Sequence, residues 1–189
     1  MAAPDHSPLP ATYCQSHPLL PAALIARIEP QVCPHPLKPS ALRYIVRLDN
    51  ITGLKHTGVH LCRIPPLTES LIFHWHRTDE EWTYVISGTG ELDLSYQHED
   101  GAIDHDRIVT EKVGPGDFMG HTRNGRAHAL RNTSETDGLV YLCGGERTEE
   151  VICEYPTVRK TLYYRAGGNY RYEDMPSDER EAKETPNAG

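Results

Sequence analysis

His74 and His76 stand one residue apart in Ser70-Leu-Ile-Phe-His-Trp-His76, and Glu81 follows five positions later. In an extended strand alternate side chains share a face, so both imidazoles point one way and Trp75 the other. Two imidazoles one pleat apart can reach a single metal ion. A tight turn after His76 would carry Glu81 back beside them, on the face of Thr83 and Val85, so that three ligands come from one hairpin at little loop-closure cost. Glu80 is the rival carboxylate, read as a solvated charge on that turn. A fourth ligand is offered by His128, which opens a later strand with Leu130 on its own face. Imidazole and carboxylate suit Zn, Fe, Mn, Ni or Cu, and no adjacent cysteine argues for a thiolate site. Three histidines and a glutamate fill a tetrahedral zinc site. Around an octahedral ion they leave two positions open for substrate, water or O2.

Other side chains near this segment carry two readings each. His121, in the turn before His128, is an acid/base group at a pocket mouth or an exposed turn residue. Arg63 shares the face of Leu61; pointing inward it would fix a substrate carboxylate bidentately, and otherwise it makes a salt bridge at the barrel rim. Tyr84 and Tyr141 sit in mid-strand, where a phenol can donate to substrate or simply pack. His60 and Cys62 face away from the core if Val59 and Leu61 face it, and His98 and His105 read as solvated on a hairpin tip. Trp75 and Trp82 read as packing between sheet and arm, or between subunits. Gly88, Gly90, Gly114 and Gly116 are turns, since no helix and no Lys-Ser/Thr follow to make a phosphate cradle.

The elements that must hold these residues are strands. Residues 43–48, 57–64, 70–76, 81–86, 90–96, 106–112, 127–132 and 138–143 are short, rich in β-branched and aromatic residues, and separated by Pro-Pro, Gly-Thr-Gly and Gly-Pro-Gly. Asp100-Gly101 marks a polar hairpin tip within 97–105. Many short strands without a long helix mean a sandwich or barrel. Nine of the 15 prolines fall in residues 1–40, which therefore form an arm carrying one short helix at Pro21–Glu29. Residues 41–175 make the domain, and 176–189, charged and without large apolar residues, form a disordered tail.

Composition closes off other functions. With 19 basic residues against 27 acidic ones and a net charge of −8, no nucleic-acid surface is expected. The longest apolar stretch, residues 19–28, is broken by Pro21 and carries Arg27, so no membrane span is expected. No secretory leader is visible, and Cys14, Cys33, Cys62, Cys143 and Cys153 lack a disulfide spacing, so reduced thiols and a cytoplasmic location are expected.

His74-x-His76-x4-Glu81-x6-Gly88 resembles the first signature motif of the cupin superfamily at every metal-ligand position. Gly125-x2-His128-x3-Asn132 resembles the end of the second motif. Arg123 replaces its proline, and the run back to Gly116 is one residue longer. The segment is similar to single-domain, small-barrel cupins of bacteria and fungi. The resemblance implies an all-β jelly-roll barrel in which His74, His76, Glu81 and His128 bind one divalent metal ion, and it implies a homodimer. It also implies an enzyme acting on a small organic molecule, by O2-dependent oxidation or by Lewis-acid isomerisation, lysis or decarboxylation, with oxidation favoured. The alternative is a non-enzymatic sensor or storage module. A transcription regulator would carry a helix-turn-helix segment, which the proline-rich first 40 residues do not fit. The fold alone does not choose among these.

Overall fold

The computed structural model describes residues 17–166, 168 and 170–176. It is built almost wholly of antiparallel strands: β1 (Gln31–His35), β2 (Lys38–Arg47), β3 (Thr57–Ile64), β4 (Trp75–His76), β5 (Glu81–Ser87), β6 (Gly90–Gln97), β7 (Ile103–Val113), β8 (Phe118–His121), β9 (His128–Arg131), β10 (Leu139–Glu146), β11 (Glu150–Tyr155), β12 (Lys160–Arg165) and β13 (Tyr170–Asp174). Two short helices, α1 (Ala22–Ile25) and α2 (Leu48–Thr52), accompany them. The strands pair in the orders β1-β2-β3-β10-β5-β8, β13-β12-β11-β4 and β7-β6-β9. Residues 69–76 join the last two sheets. Glu69 bridges to Arg131 and His74 to His128 in β9, after which β4 pairs with β11. The result is a jelly-roll barrel with the six-stranded sheet as one wall.

The core lies between these walls. Ile45, Cys62, Ile64, Val85, Leu92, Met119, Leu130, Leu139 and Tyr141 form one buried cluster. Burying each large apolar side chain contributes about 1.5–3 kcal/mol. The phase of β3 follows from this cluster: Cys62 and Ile64 are inside, so Arg63 is outside, its guanidinium 4.6 Å from the centre of the Tyr44 ring. A second cluster of Ile72, Cys153 and Tyr155 packs the four-stranded sheet.

Several sequence expectations change. The helix at 21–29 shortens to Ala22–Ile25, ending well before Pro30. The boundary at residue 40 falls inside β2, and Pro34 sits in β1, an edge strand where a missing donor is tolerated. The strand at 70–76 keeps ladder pairing only at Trp75–His76, whereas that at 106–112 lengthens to Ile103–Val113. Strands β1, β8, β11, β12 and β13 and helix α2 were not anticipated. Cys33, Cys62, Cys143 and Cys153 are free. Most of the expected tail, residues 177–189, lies outside the described residues, as do residues 1–16. No helix among the described residues is long and apolar enough to cross a membrane.

Candidate metal centre

His74, His76, Glu81 and His128 come together, one ligand atom from each, all within 4.8 Å of one another. The expected single hairpin does not exist. β4 pairs with β11, and β5 pairs with β10 and β8, so residues 77–80 cross from one wall to the other. His76 thus belongs to the four-stranded sheet, Glu81 to the six-stranded sheet and His128 to the three-stranded one, with His74 bridged to His128.

Two of the three rings are aimed by their far nitrogens, while His128 Nδ1 is buried without a partner. His74 Nδ1 donates to the Ile72 carbonyl at 2.8 Å, which leaves Nε2 for the centre. His76 Nδ1 lies 2.9 Å from Asp79 Oδ2 and 3.4 Å from Cys153 Sγ. The Nε2 atoms of His76 and His128 face the same oxygen, Glu81 Oε2, at 3.2 and 3.4 Å. Yet His76 Nε2 is buried without a properly directed hydrogen bond. A donor set that converges without bonding internally fits a cation at its middle, with the outer hydrogen bonds of His74 and His76 fixing the orientation of those two rings. The electrostatics agree at His74 and Glu81, whereas at His76 burial is outweighed by Asp79, Cys153 and Glu81, which raise its pKa, so an ion would have to displace a proton there. Burial, together with His128 and His76, holds the His74 pKa well below its ordinary value. Burial opposes the ionisation of Glu81, but His128 and His76 outweigh it and keep its carboxyl well below the usual range. Neutral imidazole and carboxylate are the forms that bind metal. Glu80, by contrast, is exposed.

The remaining candidates divide. His121 pairs with Glu81 across β8 and stacks on His128 with ring centres 3.4 Å apart, so it is part of the site rather than an exposed turn residue. Burial and His128 push its pKa down to about 3, so the ring is neutral. Tyr141 faces inward, buried, its hydroxyl without a hydrogen-bond partner. Tyr84 is 43% exposed on the outer face of β5, and Arg63 points outward; neither reaches the site. His60 faces inward, the reverse of expectation, and His105 is half-buried, bonded to Ser95 Oγ at 2.8 Å and stacked on Trp75. Trp82 packs on Phe118 outside the barrel.

One inward arginine was missed: it is Arg43, not Arg63. Arg43 shares its face of β2 with Ile45 and Arg47, opposite Tyr44. Its signal was available as a charge in phase with Ile45, but Arg63 drew the assignment because Leu61 is also apolar. Leu61 is apolar for another reason, since it faces Ile25 and Ile28 of the N-terminal segment across the outer side of the sheet. Arg43 and Tyr141 line a small inner cavity of about 20 Å³ with His74, Glu81 and His128. On the other side of the same ligands, His76 and Glu81 open onto a cavity of about 580 Å³. The turn before His128 is pinned by Asn124, whose N–H donates to the His76 carbonyl at 2.7 Å, and by Gly125, where a Cβ would lie 2.6 Å from Thr122 Oγ1. Asn132 is buried and structural, its amide donating to the carbonyls of Ile64, Pro65 and Asp137.

A metal-ligand set of this kind inside a jelly roll defines a class, and the comparisons agree with it. The cupin domain family matches residues 60–144. A crystal structure from Acidithiobacillus ferrooxidans, provisionally named a sugar phosphate isomerase, is 33% identical. The match covers 82% of this chain and 91% of that one, with a TM-score of 0.72. A sugar phosphate isomerase of the cupin superfamily from Silicibacter pomeroyi is 22% identical over 80% and 91%, with a TM-score of 0.61, a likeness of fold. No curated protein matches. The chain belongs to the cupin superfamily.

Proposed function

We propose that this protein is a divalent-metal-dependent enzyme that isomerises a small polyhydroxylated carbonyl compound, a sugar or a sugar phosphate. The observation that carries the reading is the convergence of three imidazoles and one carboxylate at the wall of a cavity of about 580 Å³, a size that suits a small metabolite. Isomerisation takes the place of the O2-dependent oxidation favoured from the sequence resemblance. Its support is the relative from Acidithiobacillus, similar over most of both chains.

His74, His76, Glu81 and His128 would hold the ion, which supplies Lewis acidity toward neighbouring substrate oxygens. The protein's own groups do the rest. Arg43 makes no ion pair among the described residues and lines the inner cavity beside Tyr141, whose hydroxyl is unpartnered. A buried guanidinium and a free phenol are suited to an oxygen that gains negative charge as a carbonyl becomes an enediolate. His121, neutral against His128, offers a hydrogen-bond acceptor rather than a second cation. The inner cavity has room for about one water-sized group, so a single substrate oxygen would take the place of one water there.

The test is metal analysis of the purified protein, followed by aldose–ketose assays in D2O on a panel of sugars and sugar phosphates. Expected are one equivalent of metal, deuterium incorporated beside the carbonyl, and loss of turnover after chelation with recovery on adding metal. Oxygen uptake with an organic substrate and no isomerisation would overturn the reading.

A further inference from the structure

We infer that the end of the large cavity remote from the metal ligands is a phosphate-binding subsite formed by Arg47, Lys55 and His60, so that the substrate is a phosphorylated one. The inference rests on the isomerase reading for the remainder of the substrate, though not for the anion itself.

The cavity has two chemically different ends. His76 and Glu81 line one; Arg47 and His60, partners across β2 and β3, line the other, and Lys55, from the segment before β3, lines the same cavity. Between them the sheet is bare. Glu81 of β5 pairs with Gly145 of β10, and Gly145 pairs with Gly58 of β3, so the two positions next to Glu81 across the ladder carry no side chain. Neighbouring strands are about 4.8 Å apart, which places the backbones of Glu81 and Gly58 roughly 10 Å apart. A pentose or hexose phosphate spans a comparable distance from carbonyl to phosphorus. His60 stands two residues beyond Gly58, on the same face.

Charge accounting then leaves cations to spare. Arg147 is committed to the fully buried Asp49 and, at 2.9 Å, to Asn50 Oδ1. Glu146 takes Arg123 at 2.6 Å, and Asp79 takes His76. Arg47 touches only neutral partners, Gln31 Oε1 at 3.5 Å and His60 Nε2 at 3.4 Å. Lys55 has no ion pair among the described residues. Against these two cations the lining retains one unpaired carboxylate, Glu149. His60 Nε2 is held between Arg47 Nη1 at 3.4 Å and Oδ1 of the buried Asp49 at 3.6 Å, which leaves Nδ1 for a further partner. Burial, opposed by Asp49 but reinforced by Arg47, Arg43 and Arg147, keeps that ring neutral. A planar guanidinium, an ammonium and an imidazole together match a phosphate monoester, the guanidinium bidentately.

The experiment is calorimetric titration of the metal-loaded protein with inorganic phosphate, on the wild type and on Arg47→Gln, Lys55→Gln and, as a control on the outer face, Arg63→Gln. The wild type and Arg63→Gln should bind equally. Arg47→Gln should weaken binding about tenfold or more and Lys55→Gln about threefold, with Arg47→Lys recovering part of the loss and metal content unchanged throughout. Lys55 is exposed, so its variant tests the subsite even if Arg47→Gln fails to fold. Wild type that does not bind phosphate, or binding that Arg47→Gln and Lys55→Gln leave untouched, as when phosphate sits on the metal, overturns the inference. Binding lost in these variants without turnover of any sugar phosphate supports the subsite and overturns the isomerase reading instead.

Discussion

Tyr141 and Arg43 are where chemistry and folding pull against each other. The Tyr141 hydroxyl is buried beside Arg43 and Cys62 without a well-directed hydrogen bond to either, a condition that costs up to about 1–3 kcal/mol, and burial drives its pKa well above the ordinary phenol value. Such a group is a burden on the fold and an asset to a site that must bind a developing oxyanion. Tyr141→Phe removes the polar atom and keeps the ring. We expect the melting temperature to hold or rise and metal content to stay at one equivalent, while kcat for isomerisation falls about tenfold or more. A melting temperature several degrees lower would show that the hydroxyl is a structural donor after all.

At the scale of strands, the barrel wall opposite the large sheet depends on one charged junction. Arg131 of β9 grips Asp93 of β6 through two hydrogen bonds, 2.8 and 3.2 Å, and Thr110 of β7 adds a third at 2.6 Å. Burial opposes the ionisation of Asp93, but Arg131 and Thr110 outweigh it and hold its carboxyl below the usual range. A depressed folded-state pKa contributes stability that is complete above the ordinary carboxylate pKa of about 3.9 and is lost as pH falls through the lower folded value. Asp93→Asn should therefore lower the melting temperature at neutral pH and flatten its decline below about pH 4; parallel curves for the two proteins would refute this. Elements differ in how legible they were. His74, His76 and Glu81 could be read because strand parity and motif spacing act within one short segment, and His128 because Gly125 and Asn132 frame it. The phase of β3 could not, since residues 25–30 cover its outer side and leave both faces partly apolar. Strands β11 and β12 were hidden by buried polar groups, Glu154 and Thr161. Glu154 is fully buried in β11, bonded to Thr161 Oγ1 at 2.7 Å and paired with Arg77, and it breaks the alternation that marks a strand.

For the molecule as a whole, the ligands tie three sheets at a single point, so a bound ion acts as a cross-link present only in the folded state. At one hundred times its dissociation constant such an ion adds about 2.7 kcal/mol. For a chain of this size, removal by chelator should lower the melting temperature on the order of 5–10 °C, reversibly, in a scanning calorimeter. An unchanged transition would mean that the three walls hold without it. The bare strip between metal and phosphate ends has its own consequence. A methyl group at Gly145 would lie 2.5 Å from the Glu80 carbonyl, whereas at Gly58 it would come no nearer than 3.9 Å to Asp49, Gly145 or His60. Only one of the two positions can therefore change without moving the backbone, and it lies toward the phosphate. Gly58→Ala should shift preference from six-carbon to five-carbon substrates, read as the ratio of their kcat/KM values, with metal content constant. Cupins of this type could thus diverge in the length of sugar they accept by drift at a single strand position, leaving the reacting end of the cavity as it is.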